Sequence, residues 1–120
     1  MTQAECVFCK IVAGQIPSAK VYEDDACIAF LDIGPLADAH LLLVPRAHYE
    51  WITDMPGEQV GVVAGRIPKL ARAVLKVSDA EGFNVLQNNG RSSGQAVPHV
   101  HFHIIPRREG DGLGYRWNAG

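Results

Sequence analysis

The hydrophobic pattern changes period several times along the chain, and each change marks an element. Val7, Phe8, Ile11 and Val12 recur at helical spacing and Gly14 offers a stop, so Cys6–Ala13 reads as a short N-terminal helix. Lys20–Glu23 and Ala26–Asp32 read as two strands joined at Asp24-Asp25, a hairpin, and Leu41–Val44 is a third strand ended by Pro45. From Pro56 to Ser78, Val60, Val63, Ala64, Ile67, Leu70, Ala71 and Val74 return every three or four residues, the stripe of one long helix with a buried face. Pro56 suits its first turn. Pro68 removes the bond to the carbonyl of Ala64, so a kink or break is expected there. Gly82–Asn88 and Val100–Pro106 complete the strands, flanking a polar loop, Asn88–Gly94. The order β-β-β-α-β-β predicts an α+β domain: an antiparallel sheet with a long helix packed on it. The tail from Arg107, with Tyr115 and Trp117, carries no readable pattern.

Composition narrows the class. A chain of 120 residues, 48% apolar and 20% charged with a formal net charge of −2, is expected to form one domain over residues 1–120. That charge gives no basis for binding a nucleic acid polymer, which calls for a basic face. No apolar run approaches a membrane span and no leader pattern opens the chain, so no membrane association and a cytoplasmic address are expected.

The candidate chemistry is concentrated in Gln95–Pro106, where His99, His101 and His103 occupy alternate positions of an apolar run. On a strand their rings would share one face at ~6.6–7 Å intervals, with Val100, Phe102 and Ile104 on the other. Metal binding, acid–base catalysis and nucleophilic attack all remain open on this pattern. The preceding loop adds donors on Asn88, Asn89, Ser92, Ser93 and Gln95, and glycines that let backbone N–H groups approach an anion. An ordinary turn has the same composition, but placed before three histidines it favours a phosphate. Cys6 and Cys9 form a C-x-x-C pair without a preceding strand, which favours zinc over a redox couple if two further ligands exist.

The segment G-Q-A-V-P-H-V-H-F-H-I-I-P-R closely resembles the signature of the histidine-triad (HIT) nucleotide-binding proteins. C-V-F-C-K-I-V-A-G-Q-I-P, Y-E-D-D-A-C-I-A-F-L-D-I-G-P and H-L-L-L-V-P-R-A-H extend the resemblance over nearly the whole chain, to the bacterial branch related to purine-nucleoside phosphoramidases. The resemblance implies a HIT-like five-stranded antiparallel sheet with one long and one short N-terminal helix, and a homodimer. It implies a nucleotidyl hydrolase or transferase that cleaves the α-phosphate bond of an adenosine monophosphate ester, amide or anhydride, forming a covalent histidine intermediate. A nucleotide-binding or interaction module with little turnover, a dinucleoside polyphosphate hydrolase and a catalytic-zinc hydrolase are the alternatives.

Residue by residue, His101 matches the family's nucleophile, His103 the histidine contacting the α-phosphate, and His40 the additional histidine supporting the nucleophile. Asn88 and Gln95 match phosphate-contacting amides, and Asp32 the carboxylate that binds the ribose. Phe8, Ile11, Phe30 and Ile33 match the wall of the purine pocket. Cys6, Cys9, His48 and His99 match the ligands of a structural zinc, while Cys27 is left to the core. One departure stands out: Ala96 occupies a position where the family commonly has Ser or Thr, a hydroxyl implicated in protonating a departing amine. The substitution shifts the expected substrate toward better leaving groups, such as acyl adenylates or dinucleoside polyphosphates.

Overall fold

A computed structural model describes residues 3–35 and 37–113, so Tyr115 and Trp117 lie outside the described residues. Its elements run α1 (Val7–Val12), β1 (Lys20–Glu23), β2 (Cys27–Leu31), β3 (Leu41–Pro45), α2 (Gly57–Ala64), α3 (Ile67–Ser78), β4 (Gly82–Gln87) and β5 (Phe102–Arg107). The strands form one antiparallel sheet in the order β1-β2-β3-β5-β4. On one face, Ala29, Leu41, Leu43, Phe102 and Ile104 pack with Val63, Leu70, Ala71 and Val74 of α2 and α3. On the other, Ile28, Phe30, Leu42 and Val44 pack under Phe8 and Ile11 of α1. Covered on both faces, β2 and β3 read as unbroken apolar runs rather than as alternations.

Local chemistry fixes the boundaries. Cys6 caps α1, its Sγ accepting the N–H of Cys9 at 3.4 Å. Asp24 makes the β1–β2 turn: Oδ1 accepts the N–H groups of Ala26 and Cys27 at 2.8 and 3.0 Å. Its Oδ2 accepts Tyr22 Oη–H at 2.5 Å and Arg66 Nε–H at 2.7 Å, tying the hairpin to the junction of α2 and α3.

Two boundaries differ from the sequence expectation. The long helix breaks at Gly65-Arg66 rather than at Pro68, because α3 starts at Ile67 and leaves Pro68 in a first turn that needs no N–H from it. β5 begins at Phe102, so His99 and His101 precede the strand. Pro98 has no N–H for a ladder, the His99 N–H closes on the Val97 carbonyl at 2.8 Å, and the Val100 N–H reaches Tyr49 O at 2.8 Å. The expected alternation survives this bend. Val100, Phe102 and Ile104 enter the helix-side core, while the histidines turn to the side of α1.

Candidate functional site

The nucleotide-site candidates gather where β5 leaves the bend, between β3 and β4. Phe8 lies edge-on to His101, with ring centroids 5.0 Å apart, and His101 lies 4.9 Å from His103. Only 5% of the His101 surface is exposed, and its Nδ1 lies 2.7 Å from the carbonyl oxygen of His99. A carbonyl only accepts, so Nδ1 carries the proton and Nε2 of the neutral ring carries the lone pair. Burial holds the His101 pKa below its ordinary value, against the opposing pull of that carbonyl and of Asp32. The ring is therefore neutral, in one tautomer, with a basic nitrogen to offer.

His103 and His40 form a second unit. His40 Nε2 lies 2.9 Å from His103 Nδ1 and 3.6 Å from Asp32 Oδ2. Burial, then the neighbouring His101 and His40, pushes His103 down to about 4, and burial lowers His40 as well. Asp32 divides its oxygens. Oδ1 accepts the Gly34 N–H at 2.9 Å and holds the turn after β2, while Oδ2 faces His40. One residue thus both holds the turn and faces His40.

The polar loop is mostly self-satisfied. Gln95 accepts the Gly90 N–H at 2.7 Å and donates to Glu50 O at 2.7 Å, so its amide pins the loop to the segment after β3. Asn89 accepts the Ile52 N–H at 2.7 Å, and Ser93 Oγ donates back to Asn89 O and Gly90 O. The Asn88 side chain makes no hydrogen bond among the described residues, and lies beside Gly94, whose φ of +100° suits glycine. Outside this loop a cleft of about 680 Å³ is lined by Glu50, Trp51, Arg91, Gln95, Ala96 and Pro98. Neither Trp51 nor Arg91 was singled out by the sequence; a single aromatic and a single cation outside any periodic pattern give no signal.

Of the apolar candidates, Phe8 and Phe30 are buried with ring centroids 5.6 Å apart, and Ile11 is half-buried against them. Ile33 is fully exposed, so no wall is built around it among the described residues.

Cys6, Cys9, His48 and His99 converge separately. Their ligand atoms all lie within 4.8 Å of one another. His48 Nδ1 and His99 Nδ1 are 3.1 Å apart, and the measured S···N separations are 3.2–3.5 Å. A tetrahedral ion with Zn–S ~2.3 Å and Zn–N ~2.0–2.1 Å sets its ligands ~3.3–3.8 Å apart, so the donor set fits with movements of a few tenths of an ångström. His99 Nε2 donates to Pro45 O at 2.9 Å, which leaves Nδ1 as the lone-pair nitrogen aimed at the cluster. Burial and then the adjacent Cys6 raise the Cys9 thiol to about 11; a bound cation would reverse this by ligating the thiolate.

Known proteins share both the fold and its sequence. The chain is 42% identical over 111 residues to Adenylylsulfatase HINT3 of Arabidopsis thaliana, covering 92% of this chain but only 56% of that protein. It is 44% identical over 124 residues to Adenosine 5'-monophosphoramidase HNT1 of Candida albicans, covering 98% and 81% of the two chains. Among solved structures, a Zn-bound histidine triad family protein from Mycobacterium smegmatis superposes with a TM-score of 0.88 at 39% identity, over 96% of this chain and 84% of that one. SMU.412c from Streptococcus mutans gives 0.90 at 44% identity, over 93% and 71%. The HIT domain model matches residues 13–110, which hold the sheet, His40, the polar loop and all three alternating histidines, and the chain belongs to the HIT family.

Proposed function

We propose that this protein hydrolyses the α-phosphate bond of an adenosine monophosphate ester, amide or anhydride, with His101 as nucleophile. The hydrogen bond from His101 Nδ1 to the His99 carbonyl carries the reading, because it presents a neutral, unprotonated Nε2. In the first displacement, Nε2 forms a bond to phosphorus as the bond to the leaving group breaks with its electron pair. Water then attacks the phosphorus and releases one proton to solvent, where it matches the proton taken up by the departed leaving group; the N–P bond breaks with its electron pair returning to Nε2, the nucleoside monophosphate departs and the neutral ring returns. Asn88 supplies an unengaged amide for phosphate oxygens, and the His40–His103 pair supplies N–H groups beside the same ring. Asp32 would take the ribose hydroxyls, with Phe8, Phe30 and Ile11 against the purine. The names of the Arabidopsis and Candida relatives, an adenylylsulfatase and an adenosine 5'-monophosphoramidase, support this substrate class.

Cys6, Cys9, His48 and His99 would hold a structural zinc that, when bound, cross-links α1 to the segments after β3 and before β5. The exposed Phe83 and Val85 on the edge strand β4 favour a homodimer joined there. Among the described residues no helix is long and apolar enough to cross a membrane.

A panel holding an acyl adenylate and a phosphoramidate, incubated with the protein, quenched in acid-free denaturant and read by mass spectrometry, tests the nucleophile directly. An adenylylated chain is expected, and His101→Ala should abolish it. Neither adduct nor released nucleotide across the panel would leave a nucleotide-binding module with little turnover.

A further inference from the structure

Asp32, His40 and His103 have a geometry that the nucleotide chemistry alone does not require. Each offers one ligand atom, and the three atoms lie within 4.8 Å of one another, separately from the cysteine cluster. The measured separations are 2.9 Å between the two imidazole nitrogens and 3.6 Å from His40 to the carboxylate. Nitrogen and oxygen ligands at ~2.0–2.2 Å from a divalent ion lie ~3.0–3.5 Å from their neighbours, for octahedral and tetrahedral angles respectively. The two measured edges bracket that range.

From this convergence we propose that Asp32, His40 and His103 form a second metal site, for a divalent transition ion, and that ion and nucleotide exclude one another there. Two imidazoles and one carboxylate select borderline ions such as nickel, cobalt or zinc over magnesium or calcium, which prefer all-oxygen shells. The set leaves several coordination positions open, so the ion keeps water or takes another anion. Both rings are held neutral by burial, and each can supply a lone pair at low cost.

Binding has a proton balance. One proton lies between His40 Nε2 and His103 Nδ1 when the pair is hydrogen-bonded. An ion ligated by both atoms displaces it; the rings then carry their protons on the outer nitrogens, His40 Nδ1 and His103 Nε2. The ring that held the shared proton moves it to its outer nitrogen, so neither ring changes charge. His40 is 2% exposed and Asp32 already has its second oxygen fixed by the Gly34 N–H, so the ligands are largely preorganised.

Exclusion follows from shared atoms. This half of the inference rests on the proposed nucleotide reading, in which Asp32 holds the ribose and His103 the phosphate. An ion that occupies both removes two nucleotide contacts at once. The hydrolase would then be inhibited by added transition metal, even with its structural site filled by zinc.

Nickel chloride titrated calorimetrically into the full chain, already loaded with one equivalent of zinc, tests the site without any turnover. One further nickel per chain is expected, weakened about tenfold or more by Asp32→Asn and by His40→Gln. Circular dichroism checks that each variant is folded, and Glu58→Gln, on α2 and outside both sites, should leave the isotherm unchanged. Saturating AMP should suppress the nickel isotherm, and nickel should raise the apparent Kd for AMP without changing its stoichiometry. Absence of nickel binding, or binding indifferent to both folded variants, overturns the metal site. Nickel and AMP bound together without mutual weakening overturns the exclusion. AMP failing to bind with or without nickel counts against the nucleotide reading and leaves the metal site to its own isotherm.

Discussion

Acidification should unfold this protein through its histidines before its carboxylates begin to titrate. His103 is held at about 4 in the folded chain, against an ordinary value of 6.5, by burial and by the neighbouring rings. His40 and His101 are lowered for the same first cause, burial. The unfolded chain therefore binds more protons than the native one between the two pKa values, so stability is complete above about pH 6.5 and declines as the pH falls. At pH 5 the linkage relation makes the loss about 2 kcal/mol for His103 alone. Carboxylates add almost nothing in this window, since ordinary Asp and Glu pKa values lie near ~3.9 and ~4.3. Urea unfolding followed by far-UV circular dichroism between about pH 7.5 and pH 5, at fixed ionic strength, measures the slope. His103→Gln should flatten it in proportion. A stability that stays level or rises as the pH falls to 5 would refute the claim that these rings are buried neutral.

Restoring a hydroxyl with Ala96→Ser, on the wall of the cleft, should raise kcat/KM for phosphoramidates relative to acyl adenylates, read in a side-by-side turnover assay. Equal change on both substrates would remove Ala96 from leaving-group chemistry. Asp24→Ala strips five side-chain hydrogen bonds, four within the β1–β2 turn and one from Arg66, and should lower the unfolding free energy by about 3 kcal/mol in chemical denaturation, with the His101 adduct still formed. Val85→Glu, on the half-exposed edge strand, should shift the sedimentation coefficient to that of a monomer; a dimer that persists would place the interface elsewhere.

The elements were legible wherever one side chain pattern had one explanation. The Val60–Val74 stripe gave the buried face of α2 and α3, and the Asp24-Asp25 turn gave the hairpin, because burial and turn chemistry act over a few residues. The strand start was misplaced for an equally local reason that alternation hides: Pro98 and the Val97–His99 bend keep the ladder from forming until Phe102, although the side chains continue to alternate. The loop donors show a different limit. Asn89, Ser93 and Gln95 look like ligand donors in sequence, yet the fold turns them onto Ile52, Gly90 and Glu50, and leaves Asn88 with a side-chain amide unengaged among the described residues. Arg66 had no signal at all, since its partner is 42 residues away.

His99 explains why the three alternating histidines do not do one job. Its side chain faces Cys9 and His48, while its carbonyl accepts the proton of His101 Nδ1. The bend before β5 makes this division possible. In a regular ladder the His99 carbonyl would be spent on a neighbouring strand; outside the ladder it is available to a side chain two residues later. Phe8 closes the arrangement from α1, edge-on to both rings at 5.8 and 5.0 Å between centroids. The N-cap of that helix is Cys6, whose Sγ lies 3.3 Å from His99 Nδ1. The cysteine pair therefore sets the position of the helix that packs on His101 and of the residue whose carbonyl fixes the His101 tautomer. Loosening the Cys6, Cys9, His48 and His99 cluster should show first as loss of His101 orientation, before the sheet itself gives way, because β5 is held independently by β3 and β4.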